Sequence, residues 1–306
     1  MAPIYVETLI RTNTDVLWEY TQTPDRHERW DLRFTGITYL PRPDDAPAQR
    51  FLYETRIGFG VRISGEGETV GSRADASGIR TSALKFWSDD PKSLIREGSG
   101  YWQYIPVEGG VRFLTRYDYT TRFGPVGHLF DRLVFRPLIG WATAWSFDRL
   151  RLWLEEGLDP GVAFERSAVH AAVRLTLAAI WVYQGLVPKL LFPDSGELEI
   201  LRAAQLLTGW EPLVLRLAGV GEVLFGLVLL VWWRSRALYA VNAALLVGLL
   251  AGALLSQPAI FVAPFNPISL TLAMIGLAVA GWWSSGRLPT AARCLRRPRR
   301  DRKAQP

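Results

Sequence analysis

The chain of 306 residues contains a single cysteine and three histidines. Because Cys294 has no second cysteine to pair with, an internal disulfide is excluded, and so is a zinc or iron–sulfur site held by several thiolates. His27, His128 and His170 fall in three separate predicted elements, which argues against a haem or a metal ion held by histidines. We therefore expect no metal and no metal-containing cofactor.

The N-terminal residues also lack the pattern of a secretory signal, which is a basic region, an apolar core and a small-residue cleavage site. The sequence therefore predicts that the first part of the chain stays in the cytoplasm.

Basic residues are not in excess in the first half of the chain. Residues 1–166 contain 21 Lys+Arg and 23 Asp+Glu, whereas residues 167–306 contain 14 and 6. The net charge of +6 therefore comes from the second half, mainly from a terminal segment that follows a hydrophobic run. This arrangement indicates a membrane surface and not nucleic acid as the partner of the basic residues.

The hydropathy pattern divides the chain into regions suited to two solvents. We expect a soluble domain at residues 1–158, a linker at 159–167, a membrane domain at 168–286 and a basic cytoplasmic tail at 287–306.

The first region alternates apolar and polar residues in short runs. A strand is predicted at Ile4–Ile10, and a helix capped by Asn13 or Thr14 follows it. Turn residues, among them Pro43–Asp45 and Gly58–Gly60, separate six further strand-like runs at residues 33–40, 50–57, 61–70, 79–87, 93–105 and 111–122. A helical pattern runs from Val126 to Glu156, with Pro137 placed to break or kink it. The short connections predict an antiparallel sheet.

One strand, a helix, six antiparallel strands and a long final helix is an order that resembles the START-like (SRPBCC) superfamily. This superfamily includes polyketide cyclases, lipid carriers and coenzyme Q-binding proteins. The resemblance covers residues 1–156 and rests on this order, on the stretch Thr12–Trp18 and on Trp30. It implies an α+β helix-grip fold, in which a curved antiparallel sheet surrounds the last helix and leaves a cavity for a lipophilic ligand.

Ten aromatic residues are the candidates for the wall of this cavity. They are Trp30, Phe34, Phe51, Tyr53, Phe86, Trp102, Tyr117, Tyr119, Trp141 and Trp145. The alternative is that these side chains fill an ordinary core. Asp31, Asp118 and His128 are candidate acids or bases if they enter the cavity, and otherwise they are helix caps or solvated groups.

Four apolar runs in the second region have the length of membrane-spanning helices. They lie at residues 169–187, 213–233, 237–255 and 268–283, each close to what is needed to cross a hydrocarbon layer of about 30 Å. The sequence therefore predicts a bundle of four transmembrane helices.

The basic residues between and after these runs predict the orientation. Arg234 and Arg236 separate the second and third runs and eight basic residues follow the fourth, whereas residues 256–266 have no charge. The positive-inside rule then gives a multi-pass protein of the plasma or inner membrane with both termini in the cytoplasm. The outer connection at residues 188–212 is either a short helix along the membrane surface or a loop.

Charged residues inside an apolar run are costly and point to a function or a specific partner. Arg174 and Glu222 lie well inside the first and second runs, and we expect them to form a buried ion pair. The pair either fixes the register of the two helices or has a role in ligand or proton binding.

The same residues contribute to a second resemblance. The stretch Arg174–Leu190, together with Gly219–Gly226, resembles the DoxX-like family of four-helix membrane proteins over residues 167–285. Some members of that wider family are membrane subunits of quinone-linked oxidoreductases. The resemblance implies that the functional candidates are Arg174, Gln184, Lys189 and Glu222.

Three functions are open at this point. The first is binding of a lipid or quinone-like molecule in the soluble domain, next to the membrane bundle. The second is enzymatic, either a cyclase-like reaction in the cavity or quinone-linked redox chemistry in the bundle with a membrane redox partner. The third is a bundle that only anchors the soluble domain. The expected partners are the lipid bilayer and a lipophilic small molecule, and a quinone is the one organic cofactor considered.

Overall fold

A computed structural model describes residues 2–42, 48–57, 60–194, 196–205, 208–262, 264 and 266–298. It consists of two compact units. The first unit contains Met1–Ala163 together with Pro289–Pro306, and the second contains Phe164–Leu288. The predicted turn residues Pro43–Asp45 and Gly58–Phe59 lie outside the described residues, as do the last basic residues from Arg299 onward.

The first unit is built on an antiparallel sheet, which has seven strands in the described part of the chain. The strands lie side by side in the order β1-β7-β6-β5-β4-β3-β2, so that a meander from β2 to β7 is closed by the N-terminal strand. Their bounds are β1 Ile4–Ile10, β2 Gly36–Tyr39, β3 Gln49–Arg56, β4 Arg62–Ala74, β5 Arg80–Trp87, β6 Ile95–Val107 and β7 Gly110–Thr121. Each lies within a few residues of its predicted position, and the helix-grip fold class is confirmed.

Two short helices follow β1. Helix α1, Thr14–Gln22, begins where Asn13 Oδ1 accepts a hydrogen bond from Val16 N at 2.8 Å, as an N-cap residue does. Helix α2, Pro24–Trp30, has a proline in its first turn and was not expected from the sequence. It places Trp30, its last residue, in the core of the first unit.

The predicted long helix is interrupted before Pro137. Helix α3, Gly124–Phe130, continues through a π-helical turn at Asp131–Phe135 into helix α4, Arg136–Glu156. Since Pro137 has no N–H group, it cannot make the α-helical bond to the preceding turn, and Arg136 N bonds to Asp131 O, five residues back. Gly157 ends α4 with φ of 65°, a conformation that glycine adopts without strain.

The hydrophobic core of the first unit lies between the sheet and helix α4. Its fully buried side chains include Val6, Leu17, Tyr104, Phe113 and Phe147. Phe113 of β7 and Phe147 of α4 stack with ring centroids 4.5 Å apart, which fixes the helix against the concave face of the sheet.

Within the expected basic tail at residues 287–306, the part that the structure describes from Pro289 to Pro298 packs on the first unit. Glu7 and Leu295 exchange two backbone hydrogen bonds of 2.9 Å on the outer side of β1. Thr290 N donates to Asp148 Oδ2 at 2.8 Å, and Cys294 Sγ donates to Ala144 O at 3.2 Å. The expectation considered only the charge of this segment, although the small and apolar residues between the arginines are what it buries.

The linker expected at residues 159–167 is likewise helical. Helix α5 begins at Pro160, directly after Asp159, whose Oδ1 accepts a hydrogen bond from Gly161 N at 2.7 Å. Proline in the first turn and an aspartate before it are ordinary start signals of a helix.

In the second unit, four helices among the described residues are long and apolar enough to cross a membrane. The first is α5, Pro160–Gln184, with its π-helical extension Gly185–Leu191, and the others are α7 Glu211–Val231, α8 Ala237–Ser256 and α9 Pro267–Ser284. They coincide with the four predicted runs, except that the first begins earlier. Helix α6, Glu197–Ala204, lies in the connection between the first two of these helices, so this connection contains a short helix, while Leu207 lies outside the described residues.

Candidate functional site

The concave face of the sheet and helix α4 enclose a cavity of about 620 Å³ within the first unit. Strands β2 to β7, the residues after α2 and the first half of α4 supply its wall. Most of the lining surface is apolar, with Phe51, Phe86, Leu84, Trp102 and Ile139 among the contributors. The cavity is therefore suited to an apolar molecule of the size of a small lipid or polyaromatic compound.

Strand glycines set the positions of two rings in this wall. Gly67 pairs with Phe51 across β3 and β4, and Gly98 pairs with Phe86 across β5 and β6. A Cβ atom at Gly67 would lie 2.7 Å from Phe51 Cε2, and one at Gly98 would lie 2.6 Å from Phe86 Cε2. The missing side chains let both rings lie flat over the neighbouring strand and widen the cavity.

Seven of the ten expected wall residues line the cavity. They are Phe34, Phe51, Tyr53, Phe86, Trp102, Tyr117 and Trp141. Trp102 is almost fully buried, whereas Trp141 is 42% exposed and lies at the rim.

The other three expected wall residues lie elsewhere, and their placement in the wall was wrong. Trp30 is fully buried in the core, where its Nε1 donates to Tyr20 O at 3.0 Å. Tyr119 is turned toward the π-helical turn, and its hydroxyl donates to Asp131 Oδ1 at 2.6 Å. Trp145 is buried beside Trp141, with ring centroids 6.3 Å apart. In each case a neighbouring helix covers a ring that the strand or helix pattern alone places on the inner side.

A charged cluster at residues 27–33 interrupts the apolar wall. Arg33 Nε and Nη2 donate to the two oxygens of Asp31 at 2.9 and 2.6 Å, and His27 Nε2 lies 3.1 Å from Asp31 Oδ2. Burial alone would raise the pKa of Asp31, but the Arg33 guanidinium and His27 hold it well below its usual range. Asp31 is fully buried behind Arg33 and His27, and these two side chains line the cavity.

Two tyrosines add hydroxyl groups to the same wall. Tyr117 Oη lies 3.0 Å from Thr143 Oγ1, which donates to Ile139 O and therefore accepts from the tyrosine. Tyr53 Oη donates to Trp87 O at 3.3 Å, and burial raises the pKa of Tyr53 to about 12. Both hydroxyls are neutral hydrogen-bonding groups at physiological pH. Together with Arg33 they add polar groups to a cavity whose lining surface is mainly apolar.

The candidate acids and bases are all engaged outside the open part of the cavity. Asp31 is held by Arg33 and His27, Asp118 Oδ1 accepts from Arg136 Nη2 at 2.9 Å, and His128 Nδ1 lies 2.5 Å from Thr121 Oγ1. Neither Asp118 nor His128 lines the cavity. Among the described residues no group of three or more His, Cys, Asp or Glu is arranged to hold a metal ion.

The intramembrane candidates do not form the expected pair, so the prediction of an Arg174–Glu222 contact was wrong. Glu222 Oε2 lies 3.0 Å from Lys189 Nζ, an ionic contact without the alignment of a hydrogen bond. Lys189 Nζ also lies 2.7 Å from Glu197 Oε2 and donates to the backbone O of Gln184 at 3.3 Å. Lys189, Glu197, Glu222 and the Gln184 carbonyl therefore form one cluster in the second unit, which we call the lysine cluster.

Arg174 is fully buried in a separate network at the end of helix α7. Its Nε donates to Tyr239 Oη at 3.2 Å, and its terminal nitrogens donate to Leu229 O, at 3.2 Å, and to Ser235 O. His170 Nδ1 lies 3.1 Å from the same tyrosine hydroxyl, and its Nε2 lies 2.9 Å from Trp233 O. These contacts satisfy carbonyls that the end of a helix leaves without partners.

Several polar residues have roles that were not expected from the sequence. Arg33 carries a signal, because it stands two positions after Asp31, which itself stands four positions after His27 on a helix. Tyr239 and Asn242 carry only a weak one, as isolated polar residues in an apolar run. Asn242 Oδ1 accepts from Trp181 Nε1 at 2.7 Å, which joins α8 to α5.

Comparison with known proteins gives matches for both units. Residues 178–279 match the DoxX-like family. Over 184 residues the chain is 52% identical to the uncharacterized membrane protein YndG of Bacillus subtilis (strain 168). The aligned residues cover 60% of this chain and 68% of that protein.

Solved structures similar to part of this chain include START-type and polyketide aromatase/cyclase proteins. The di-domain aromatase/cyclase StfQ from the steffimycin biosynthetic pathway is 16% identical, with 51% of each chain covered and a TM-score of 0.40. A STAR-related lipid transfer protein fragment from Xanthomonas axonopodis is 15% identical over 44% of this chain and 77% of that one, with a TM-score of 0.35. The Zhui aromatase/cyclase from Streptomyces sp. R1128 is 12% identical over 45% and 87%, with a TM-score of 0.35.

Proposed function

Since the chain belongs to the same family as the membrane protein YndG and contains a DoxX-like membrane domain, we propose that its first unit holds a lipophilic small molecule for exchange with the bilayer that the second unit spans. The observation that carries this proposal is the partly open, mainly apolar cavity of about 620 Å³. Ligand sites for small organic molecules have volumes of about 300–1,000 Å³ and are lined mostly by apolar and aromatic side chains.

The distribution of polar groups supports one orientation of the ligand. A carbonyl or carboxylate oxygen at its polar end lies at the Arg33 guanidinium, which Asp31 holds in place, and a phenol at that end donates to the Tyr117 oxygen. Its apolar body lies against Phe51, Phe86 and Trp141. Because an uncompensated polar group in an apolar site is costly, this arrangement selects molecules with one polar end, which includes both quinones and single-chain lipids.

The experiment is extraction and mass spectrometry of the purified full-length protein with a matched pair of variants. Trp141→Ala removes a ring at the rim of the cavity, and Trp153→Ala removes a ring of the same helix that packs on Tyr20 outside it. We expect a lipophilic compound at near-stoichiometric amounts in the wild type and in Trp153→Ala, and a several-fold loss in Trp141→Ala.

Two results would contradict the proposal. One is a purified protein that carries no compound and takes up none from added quinone or lipid. The other is loss of the compound in Glu222→Gln but not in Trp141→Ala, which would move the binding site into the membrane unit.

The orientation we propose places the first unit in the cytoplasm. Arg234 and Arg236 lie between α7 and α8, and Arg293, Arg296 and Arg297 follow α9, whereas residues 256–266 carry no charge. The Glu7–Leu295 pairing agrees with this, because residues that precede the first span and follow the fourth belong to one unit. Basic residues on the cytoplasmic side of the spans are the general rule.

A further inference from the structure

The helical stretch from Gly124 to Trp141 presents apolar side chains to the surface of the first unit. We call six of its exposed apolar residues the apolar stripe, and they are Val126, Leu129, Leu133, Val134, Leu138 and Trp141. Val126 is 75% exposed and Leu133 is 65% exposed. Apart from the adjacent Leu133 and Val134 they recur every three or four residues, so they share one broad side of the stretch, and the buried Gly127, Asp131 and Gly140 lie on the other.

This pattern is the reverse of a surface helix in a soluble domain. Such a helix turns its apolar side to the core and its polar side to water. Here the inward side is narrow and includes a carboxylate, that of Asp131, which is satisfied by Arg136 Nε at 3.1 Å and by Tyr119. The outward side therefore presents a continuous exposed apolar surface, which in a folded protein marks a site of interaction with a protein or a membrane.

Most charged residues near the stripe are basic, and the half-exposed Asp118 is paired with Arg136 Nη2 at 2.9 Å. Between residues 119 and 147 the sequence contains one acidic residue, Asp131, and it is fully buried. Arg132 is exposed within the stretch, and Arg296 Nη2 donates to Pro137 O at 3.1 Å, which brings the exposed Arg296 and Arg297 to the start of α4. An apolar strip flanked by arginines is complementary to an anionic lipid surface, where the guanidinium groups reach the phosphates.

The stripe also borders the opening of the cavity. Leu138 and Trp141 belong to the stripe and line the cavity as well, and so does the exposed Phe130 beside them. A surface that covers the stripe therefore covers the rim through which a ligand passes.

We propose that the apolar stripe lies in the headgroup region of an anionic lipid bilayer, with the opening of the cavity at that surface. A bilayer is favoured over a protein partner because exposed arginines, Arg132, Arg296 and Arg297, flank the apolar side chains, while the nearby Asp118 carboxylate is paired with Arg136. The unit is also covalently continuous with membrane-spanning helices, so that a bilayer is always at hand. Direct exchange of a lipophilic ligand through this opening rests on the proposed function, whereas docking of the stripe does not.

The test measures the depth of the stripe in full-length protein reconstituted into vesicles of phosphatidylglycerol and phosphatidylcholine. In a Cys294→Ser background, Val126→Cys and Val107→Cys are each labelled with a bimane fluorophore. Val107 is the matched control, because it is a half-exposed valine beside the opposite end of β7, about 40 Å along a strand of this length. Leu133→Cys serves as a second label on the stripe.

We expect lipids with spin-labelled acyl chains to quench the fluorophores at positions 126 and 133 several-fold more than the one at 107. Replacing phosphatidylglycerol by phosphatidylcholine weakens this quenching, because the arginines lose their partners. Equal quenching at 107, 126 and 133 would overturn the proposal. So would labels at 126 and 133 that remain unquenched, because the stripe would then lie outside the lipid. Neither outcome depends on whether the cavity holds a ligand.

Discussion

Cys294 reports on the attachment of the C-terminal segment to the first unit. Its thiol is buried against Ala144, and burial, together with the nearby Asp148, raises the pKa of this thiol to about 12. Since the thiolate is the reactive form, we expect iodoacetamide at pH 8 to leave Cys294 unmodified in the folded protein and to modify it fully after denaturation. Mass spectrometry of the intact protein measures the difference.

The raised pKa of Cys294 also makes the stability of the folded protein depend on pH. A thiol whose folded pKa lies above its unfolded value of about 8.5 stabilises the folded state below that value. This contribution is lost as the pH rises toward 12. Rapid alkylation of the folded protein at pH 8 would show that the segment Pro289–Pro298 leaves its position on α4.

Arg33 and Asp31 form a buried ion pair, and the loss of free energy of unfolding when one partner is removed can be measured. Arg33→Met leaves the Asp31 carboxylate fully buried with His27 as its remaining side-chain partner, and removal of one member of a buried ion pair costs about 3–5 kcal/mol. We expect a lower thermal midpoint for Arg33→Met and a partial recovery in the double variant with Asp31→Asn. Circular dichroism of the full-length protein measures both.

The pH dependence of this effect follows from the sign of the shift. The depressed pKa of Asp31 means that its contribution to stability is present above the unfolded value of about 3.9 and is lost as the pH falls below it. The difference between wild type and Arg33→Met therefore stays constant from pH 6 to 8 and narrows in acid. If the effects of Arg33→Met and Asp31→Asn on the thermal midpoint simply add in the double variant, Arg33 and Asp31 act independently and the ion pair is contradicted.

At the scale of single residues, the sequence predicted which face of the sheet a side chain occupies. It did not predict which other elements cover that side chain. Alternation along β7 places Tyr117 and Tyr119 on the same side of the sheet, and both do lie on that side. Only the π-helical turn, with Asp131, decides that Tyr119 is covered while Tyr117 faces the cavity. That turn depends on tertiary packing, which a local pattern does not contain.

At the scale of elements, the close approach of α7 to the first span depends on glycine. A Cβ atom at Gly219 would lie 2.8 Å from Gly185 O and 2.8 Å from Lys189 Cβ, whereas one at Gly221 would meet nothing within 4 Å. We expect Gly219→Ala to destabilise the protein by about 1–3 kcal/mol, since the two backbones must separate, and Gly221→Ala to have little effect. Thermal unfolding of the protein in detergent distinguishes the two variants, and equal midpoints would contradict this packing.

The lysine cluster joins the π-helical end of the first span to α6 and α7. Lys189→Met leaves Glu222 buried without its cation, so we expect a loss of about 3 kcal/mol or more, and less for Glu197→Gln because Glu197 is partly exposed. The double variant of Lys189→Met with Glu222→Gln should recover most of the loss. Thermal unfolding of the wild type, Lys189→Met, Glu222→Gln and their double variant measures the coupling, and purely additive effects would contradict it.

The failed pairing of Arg174 with Glu222 shows what the apolar pattern leaves out. The sequence placed both residues near one depth because it counted from the ends of two straight helices. In the structure Arg174 contacts Leu229 O, seven residues beyond Glu222, which is about 10 Å along a helix. The π-helical segment Gly185–Leu191, which brings Lys189 to Glu222, has no signal beyond Pro188, whereas the four long spans were predictable from length and hydropathy alone.

At the scale of the whole molecule, the proposed orientation is open to direct measurement. Fluorescent-protein fusions at Ala2 and after Pro298 should both fluoresce in bacterial cells. An alkaline phosphatase inserted at Gln257, between α8 and α9, should be active, because that connection lies on the opposite side of the membrane. Activity of the phosphatase at either end of the chain would contradict the proposed orientation.

The division into a soluble and a membrane region was also predictable, because each solvent leaves its own pattern of apolar residues. The return of residues 289–298 to the first unit was not predictable, since a segment of ten residues with three arginines shows no periodicity. Only contacts with partners far away in the sequence, Glu7 and Asp148, define its place.

The pairing of Glu7 with Leu295 also has a consequence for biosynthesis. The ribosome makes β1 first and its outer partner last, with all four spans in between. During translation the outer edge of β1 and the side of α4 at Ala144 and Asp148 stay uncovered until all four spans have been synthesised. A polypeptide that is truncated after the last span keeps this strand edge unpaired, and an unpaired edge is a template for pairing with another chain.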